Sequence, residues 1–329
     1  MNRKSLIISA LLLGLAALLL QVVDLSPDKN GHPQVGRPLL PAPLAGQMDQ
    51  LVLSQGGKHT RLYKDKGQWL VDELQGFPVN LSKLTQLISQ LETSKVGFLV
   101  TDRPERLSEL QMGLEGEIGE GVKLAFFREK QPLQTLIFGQ SRQAANPDQK
   151  GAEGGYVRLG VEPQGFLIKE DLELDLDPRD WRLERVLALN ADQIKSIRGL
   201  DWKLERAQSK DPFGPQTPEK NALNGLLRVL GDLSTGDQLT LDQRPNQAPK
   251  FLAKVEVETF NQEVLTLSFF EQPKQGETLE KYWLTLELNP KAQVAFPLLA
   301  IVARGWALEL NDWQANRWVN AREQLFGIK

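Results

Sequence analysis

A single long apolar run stands at the start of the chain, from Leu6 to Val23. As an α-helix its 18 residues span about 27 Å, close to the thickness of the hydrocarbon core of a bilayer. Arg3 and Lys4 precede the run, and basic flanks stay on the cytoplasmic side of a membrane. We therefore predict that residues 1–23 form a transmembrane anchor and that the rest of the chain is exported.

Two alternatives stay open: the run is a cleaved signal peptide, or the protein is cytoplasmic. Signal peptides have shorter apolar cores and end in a small-x-small cleavage site, whereas Asp24, Leu25, Ser26 and Pro27 follow this run. This favours an uncleaved anchor.

The pattern changes over residues 24–47, which are rich in proline and glycine. Such a composition disfavours both helix and core, because proline lacks the backbone donor and fixes φ. It predicts an extended, polyproline-like linker between the anchor and a folded part.

Residues 48–190 show strand-like alternation followed by an amphipathic helix and a further meander. Strand patterns stand at 51–53, 60–63 and 68–71, and Asn80 is placed to cap a helix whose apolar positions recur at helical spacing. Further strands are predicted at 122–126, 133–138, 156–159 and 165–168.

Residues 191–329 repeat this order with little identity. Strands are predicted at 194–200 and 202–206, a helix opens at Thr217, Pro218 and Glu219, and strands resume at 253–257, 264–269 and 282–288. Strands grouped without regular βαβ alternation indicate an α+β fold with mainly antiparallel sheet. We predict a tandem repeat over 48–190 and 191–329, the second copy ending in a C-terminal helix.

Composition narrows the functional classes. The 329 residues carry a formal charge of −3 and include no cysteine, which removes disulfides, zinc thiolates and cysteine nucleophiles. Interspersed acids and bases argue against a nucleic-acid partner, which favours a basic face.

Candidate chemistry is sparse. The only histidines are His32, in the linker, and His59, in a predicted turn, and no Gly-x-Ser-x-Gly elbow accompanies them. Acids crowd residues 170–180, where alternation predicts a solvated strand face; a calcium site and a hydrolase carboxylate pair are the alternatives. The glycines of 113–121 are interrupted by glutamates and favour a flexible acidic loop over a phosphate loop. We therefore expect no catalytic, cofactor or metal site.

The C-terminal stretch contains the candidate partner-binding residues Trp306, Trp313, Arg317 and Trp318. Trp and Arg are the residue types that anchor protein interfaces. The alternatives are that a terminal helix, capped by Asn311 or Asp312, uses these aromatics to close the core, or that they contact a membrane interface.

The chain resembles the bacterial domain-of-unknown-function family 4340. The resemblance covers about residues 51–269 and is carried by the following segments: Gly67 to Val71, the Asn80 helix, Met112 to Leu114, Phe138–Gly139, Gly155 to Arg158 and Trp181 to Leu187. It implies a membrane-anchored exported protein with no established activity. Some family members are encoded beside ABC-transporter subunits.

These features together predict a non-catalytic accessory or scaffold protein. It would be single-pass in the inner membrane, with its bulk in the periplasm, and would bind an envelope protein such as an ABC-transporter subunit. Two alternatives remain: a glycan- or ligand-binding module that uses exposed aromatics such as Tyr156, Tyr282 or the C-terminal tryptophans, and a carboxylate-based envelope hydrolase.

Overall fold

The computed structural model describes residues 31–142, 154–241, 249–272 and 281–327. The predicted anchor at 6–23 lies outside these residues. Among the helices of the described part, none is long and apolar enough to cross a membrane.

Antiparallel strands dominate the structure, and the predicted α+β class with mainly antiparallel sheet is confirmed. The strands are β1 Gln50–Gln55, β2 Lys58–Asp65, β3 Gln68–Val71, β4 Phe77–Pro78, β5 Leu99–Thr101, β6 Val122–Arg128, β7 Gln131–Ser141, β8 Gly155–Leu159, β9 Gly165–Ile168, β10 Arg185–Leu187, β11 Ile194–Arg198, β12 Lys203–Glu205, β13 Leu233–Ser234, β14 Gln238–Thr240, β15 Lys250–Thr259, β16 Val264–Gln272, β17 Lys281–Leu288 and β18 Trp306–Leu310. The helices are α1 Ala42–Ala45, α2 Leu81–Thr93, α3 Pro104–Glu109, α4 Lys220–Gly231, α5 Pro290–Ala295, α6 Pro297–Gly305, α7 Asp312–Val319 and α8 Ala321–Phe326. Two 3-10 helices span Pro178–Trp181 and Ala191–Gln193.

The chain divides into two units that are discontinuous in sequence. Unit 1 contains the described residues within 1–46, 88–124 and 134–173, and unit 2 contains those within 47–87, 125–133 and 174–329. The tandem repeat with copies at 48–190 and 191–329 stays a prediction.

Unit 1 includes the strands β7, β8, β9 and β5, which are hydrogen-bonded in that order. Its core includes Leu91, Phe138 and Phe166. Leu39 and Leu40 of the N-terminal segment are also fully buried.

The expectation of an extended linker over 24–47 is wrong for residues 36–46. The backbone N–H groups of Gly36, Leu39 and Leu40 donate to carbonyls of Val96, Ser94 and Leu91. A short helix, α1, follows. The proline content led to a wrong prediction for two reasons. Apolar residues between the prolines are buried, and hydrogen bonds to residues 91–96 satisfy the backbone N–H groups.

The glycine loop at 113–121 is a closed turn of unit 1 rather than a flexible loop. Gly113 N–H donates to Gly119 O at 2.8 Å, and Gly121 N–H donates to Gly113 O at 3.1 Å. Glu117 and Glu120 accept hydrogen bonds from backbone N–H groups of the same loop. The acids that interrupt the glycines therefore satisfy the loop's own donors.

Unit 2 contains two ladders of antiparallel strands. One runs in the order β4, β3, β2, β1. The other is a seven-stranded sheet in the order β12, β11, β15, β16, β17, β18, β14, with every neighbouring pair antiparallel.

Period-2 alternation places the apolar side chains of the central strands on one face of the seven-stranded sheet. Leu265, Leu267 and Phe269 alternate along β16, and all three are almost fully buried. Leu267 lies opposite Val255 on one side and Leu286 on the other. The apolar residues of α4, α7 and α8 belong to the same core.

The predicted helix ends were partly correct. Asn80 accepts a hydrogen bond from the first turn of α2, as predicted, and of the two candidate caps for α7 it is Asn311 rather than Asp312 that accepts one. The helix predicted to open at Thr217, Pro218 and Glu219 begins after the last of these, and the Glu219 carboxylate caps α4 by accepting from Ala222 N–H. For α3 the N-cap is Arg103, and Pro104 occupies the first turn.

We expect Gly119→Ala to destabilise the chain much more than Gly116→Ala. Both glycines have positive φ, +69° and +79°, so left-handed strain of about 1–2 kcal/mol is common to both. Only at Gly119 would the new Cβ lie 2.1 Å from a backbone oxygen, that of Ser108, whereas the space around Gly116 is open. Denaturant unfolding of the two variants should therefore differ by about 2 kcal/mol or more. Equal losses would show that the loop can move away from Ser108.

Candidate functional site

The four sequence-predicted partner-binding residues lie in three different environments of unit 2. Trp318 belongs to the core, Trp306 opens strand β18, and Trp313 and Arg317 lie together on α7. The structure therefore brings only Trp313 and Arg317 together at the surface.

Trp318 is buried, with 1% of its surface exposed, and its ring stacks on Phe269 of β16. The ring centroids are 5.8 Å apart and the planes differ by 19°. A side chain in this position cannot contact a partner, so the partner-binding prediction is wrong for Trp318. The alternative, an aromatic that closes the core, describes it correctly.

Trp306 is partly buried and packs edge-to-face against Phe77 of β4, with ring centroids 5.7 Å apart. Phe77 itself is fully buried. The contact fixes the indole of Trp306 against the core, and its surroundings differ from those of Trp313.

Trp313 is 42% exposed, which is high for a tryptophan, and lies between two arginines. The guanidinium carbon of Arg228 is 5.6 Å from the ring centroid, and that of Arg317 is 5.8 Å away. Both distances are within the range of cation–π attraction. We call Arg228, Trp313 and Arg317 the Arg–Trp–Arg surface.

Local helix geometry builds this surface. Trp313 and Arg317 are four residues apart on α7 and so share one face of the helix. Arg317 also lies across α4 at Gly225, where an added Cβ would be only 3.1 Å from its Nε. Its Nη1 donates to Gln324 Oε1 at 3.1 Å, so the guanidinium is held from two sides.

The cations of the Arg–Trp–Arg surface have no ion-pair partner among the described residues. Arg317 does contribute to the lowered pKa of Glu219, after the larger effect of backbone hydrogen bonds from Asn221 and Ala222. Glu219 serves α4 as a cap, so its charge is already used by the helix. The surface is therefore cationic, with an aromatic centre.

Sequence reasoning missed Arg228 and Gly225. They are three residues apart and lie on the same side of α4, a pattern that is visible in the sequence. Nothing in the sequence showed that α4 packs beside α7, and only that pairing brings Arg228 to Trp313.

The acidic segment at 170–180 does not form the predicted strand. Residues 171–177 have no ladder, and a 3-10 helix follows at Pro178–Trp181. Within unit 2, Lys83 pairs with Asp175 and donates to Asp180 O, and its Nζ lies 5.0 Å from the ring centroid of Trp181. Side-chain contacts rather than strand pairing hold this segment.

Asp177 is the most strongly perturbed acid of this segment. The side-chain hydrogen bond from Arg179 is the main cause that lowers the pKa of Asp177 to about 2, and the backbone N–H of the same residue adds to it. The pKa values of Glu205 and Glu219 are also lowered. An acid catalyst needs a raised pKa, so none of these three carboxyl groups is suited to that role.

Both histidines have local contacts. His59 is exposed and lies 3.5 Å from Glu73, and His32 packs edge-to-face against Phe166. In the described part of the chain, no group of three or more metal-ligating side chains is placed to hold an ion.

Comparison with known families gives one match. The family model described as a domain of unknown function (DUF4340) matches residues 69–249, more than half of the chain. The chain belongs to this family, which confirms the family predicted from the sequence. No curated protein and no solved structure matches the chain.

The difference in burial between Trp318 and Trp313 predicts a large loss of stability on substitution of the first and a small loss on substitution of the second. Trp318→Ala should lower the free energy of unfolding by about 3–5 kcal/mol, because it leaves a cavity beside Phe269. Trp313→Ala should cost about 1 kcal/mol or less, because the ring is already partly in water. Denaturant titration of the full chain in mild detergent measures both. Losses of similar size would contradict the placement of Trp313 at the surface.

The lowered pKa of Asp177 predicts a pH-dependent contribution to stability. The ionised form is favoured in the folded state, so its contribution is complete above the ordinary value of 3.8 and is lost as pH falls towards about 2. The stability difference between the native chain and Asp177→Asn should therefore shrink between pH 4 and pH 2. In an Arg179→Gln background this stability difference should change less between pH 4 and pH 2. If it changes as much there as in the native chain, Arg179 is excluded as the cause.

Proposed function

We propose that this DUF4340 protein is a non-catalytic accessory protein of the bacterial envelope, anchored in the inner membrane with its bulk in the periplasm. It binds an envelope protein through the Arg–Trp–Arg surface. The exposed tryptophan between two arginines is the observation that carries this proposal.

Three properties of the surface support a protein partner. Trp and Arg are the residue types that most often dominate interface energetics. The arginine stems and Gly225 hold the groups in place before binding, which lowers the entropy lost on association. The ring also offers apolar area that a partner can bury.

The charge of the surface indicates what the partner presents. Neither Arg228 nor Arg317 forms an ion pair with an acid within the described residues. Carboxylates across the interface would pair with them, since guanidinium groups bind carboxylates in bidentate geometry. The partner is therefore a protein with Asp or Glu around an apolar contact, and an ABC-transporter subunit is the candidate that the family resemblance supplies.

The anchor part of the proposal rests on the apolar run at 6–23 and its basic flank. Only residues 24–31 separate this run from His32, which packs against Phe166 of the folded part. Even fully extended, so few residues reach no more than about 30 Å. The folded part therefore works close to the bilayer, where a membrane-embedded partner is within reach.

The tandem duplication belongs to the same proposal. Antiparallel strands precede a helix in both halves, β1 to β4 before α2 and β11 to β12 before α4. Two related domains without a shared active site suit a scaffold that makes contacts.

A photo-crosslinking experiment tests the partner surface. A photoreactive phenylalanine analogue replaces Trp313 in the intact chain, in its own membrane, and a matched chain carries it at Phe251, which is 47% exposed on β15. We expect an adduct with one envelope protein from position 313 and none from 251. Arg228→Glu should abolish the adduct by repelling the partner's carboxylates, and a compensating Asp→Lys or Glu→Lys change in the partner should restore it.

Other outcomes would overturn parts of the proposal. Equal adducts from both positions, or no protein adduct from 313, would reject the Arg–Trp–Arg surface as a docking site. Adducts with lipid alone would favour the membrane-interface interpretation instead. Deletion of residues 6–23 should release the chain from the membrane fraction, and retention there would contradict the anchor.

A further inference from the structure

A cavity of about 550 Å³ lies in unit 2 between the β2–β3 hairpin and helix α6. Its volume falls within the range of small-molecule sites. The side chains that matter for the argument come from both walls: Tyr63, Lys66, Gln75, Gln293, Arg304 and Trp306. Apart from Trp306, none of them was singled out as a site residue from the sequence, and none belongs to the Arg–Trp–Arg surface.

One wall of the cavity is aromatic and fixed. Trp306 lines it, and its indole packs edge-to-face against the fully buried Phe77. The face of an indole carries negative charge density and attracts the positively polarised C–H groups of a ligand. A sugar ring presents such C–H groups on one side.

The opposite wall carries the Tyr63 hydroxyl. An added Cβ at Gly76 would lie 3.1 Å from this oxygen, so the glycine leaves room for it. Burial, followed by the charges of Asp72 and Asp65, raises the pKa of Tyr63. The group therefore stays a neutral hydroxyl that can both donate and accept a hydrogen bond.

Glutamine side chains add further donors and acceptors. Gln68, Gln75 and Gln293 all line the cavity. The amide nitrogen of Gln293 already donates to Leu288 O at 2.9 Å, which orients the amide and leaves its carbonyl oxygen as an acceptor. Such a set suits a ligand with several hydroxyl groups, each of which donates and accepts.

The charge of the cavity favours an acid on the ligand. Lys66 and Arg304 have no ion-pair partner among the described residues, although Asp65 also lines the space. Arg304 uses Nε to bind Ala300 O at 3.0 Å, so both Nη groups are available for a carboxylate. Helix α6 presents its side rather than its N-terminus, since Pro297, Ala300, Ile301 and Arg304 share one face. A phosphate would therefore find no cluster of backbone N–H groups here.

We propose that this cavity binds an acidic saccharide, with the sugar ring on Trp306, its hydroxyl groups on Tyr63 and the glutamines, and its carboxylate on Arg304. The site is independent of the protein-docking surface, and either can exist without the other.

Calorimetric titration of the full chain in detergent with tri-galacturonate tests this site. The matched ligand is the methyl ester of the same trisaccharide, which keeps the rings and removes the charge. We expect the acid to bind at least about tenfold more tightly than the ester, because a charge-assisted bidentate contact is lost in the ester. Arg304→Gln should reduce the affinity for the acid to that for the ester and leave the ester unchanged.

Two more variants locate the ligand. Tyr63→Phe removes only the hydroxyl and should weaken both ligands. Lys64→Gln removes a neighbouring exposed cation that does not line the cavity, and should change neither affinity. Because Arg304 and Lys64 are exposed, these changes leave the core intact.

The proposal is overturned if neither ligand binds, or if acid and ester bind equally. It is also overturned if Arg304→Gln and Lys64→Gln lower the affinity to the same extent, which would indicate attraction by overall charge.

Discussion

Burial of one face of the seven-stranded sheet determines where the functional side chains of unit 2 point. Leu265, Leu267 and Phe269 alternate along β16, and the helices that cover them must turn one side inwards. On α7 that side carries Ala315 and Trp318, which are almost fully buried. Trp313 and Arg317 therefore lie on another side of α7, where Trp313 is exposed to solvent. The stacking of Trp318 on Phe269 thus fixes the rotation of α7 and, with it, the exposed aromatic.

The same core also fixes the cavity. Phe77 is a buried residue of the core formed by the sheet and its helices, and Trp306 is partly buried against that core. The two candidate binding regions are therefore both attached to this core, although they share no side chain. Most ion pairs of the described chain are solvent-exposed and contribute little to stability. By contrast, the arginines that line the two regions carry no acid partner among the described residues, which suits them to recognise a ligand or partner.

Much of this architecture could be predicted from local sequence. Period-2 alternation located β1, β2, β15 and β16, and helical spacing located α2, because burial on one face leaves a pattern in the sequence. The cap at Asn311 followed from a side chain that satisfies the first N–H groups of its helix. The strand prediction for the acidic segment at 170–180 was wrong. Alternating acids and leucines also occur where long-range contacts, here between Lys83 and Asp175, hold an extended chain without strand pairing.

The candidate site was predictable only in part. Trp313 and Arg317 are neighbours on one helix, so spacing alone brings them together. Arg228 comes from a helix some 85 residues earlier in the chain than Trp313, and Tyr63 lines the same cavity as Trp306 across an even longer separation. Pairing of distant elements leaves no local signature, and one sequence cannot supply it. The proline-rich segment misled for the same reason, because the burial of Leu39 and Leu40 depends on partners beyond residue 90.

That buried segment also decides how the protein bears mechanical load. A pull from the N-terminal side reaches residues 36–40 before it reaches β1. There it meets the hydrogen bonds to Leu91, Ser94 and Val96, together with two leucines that would have to leave the core. Force applied from that side would have to break these hydrogen bonds and withdraw both leucines before it could extend the segment.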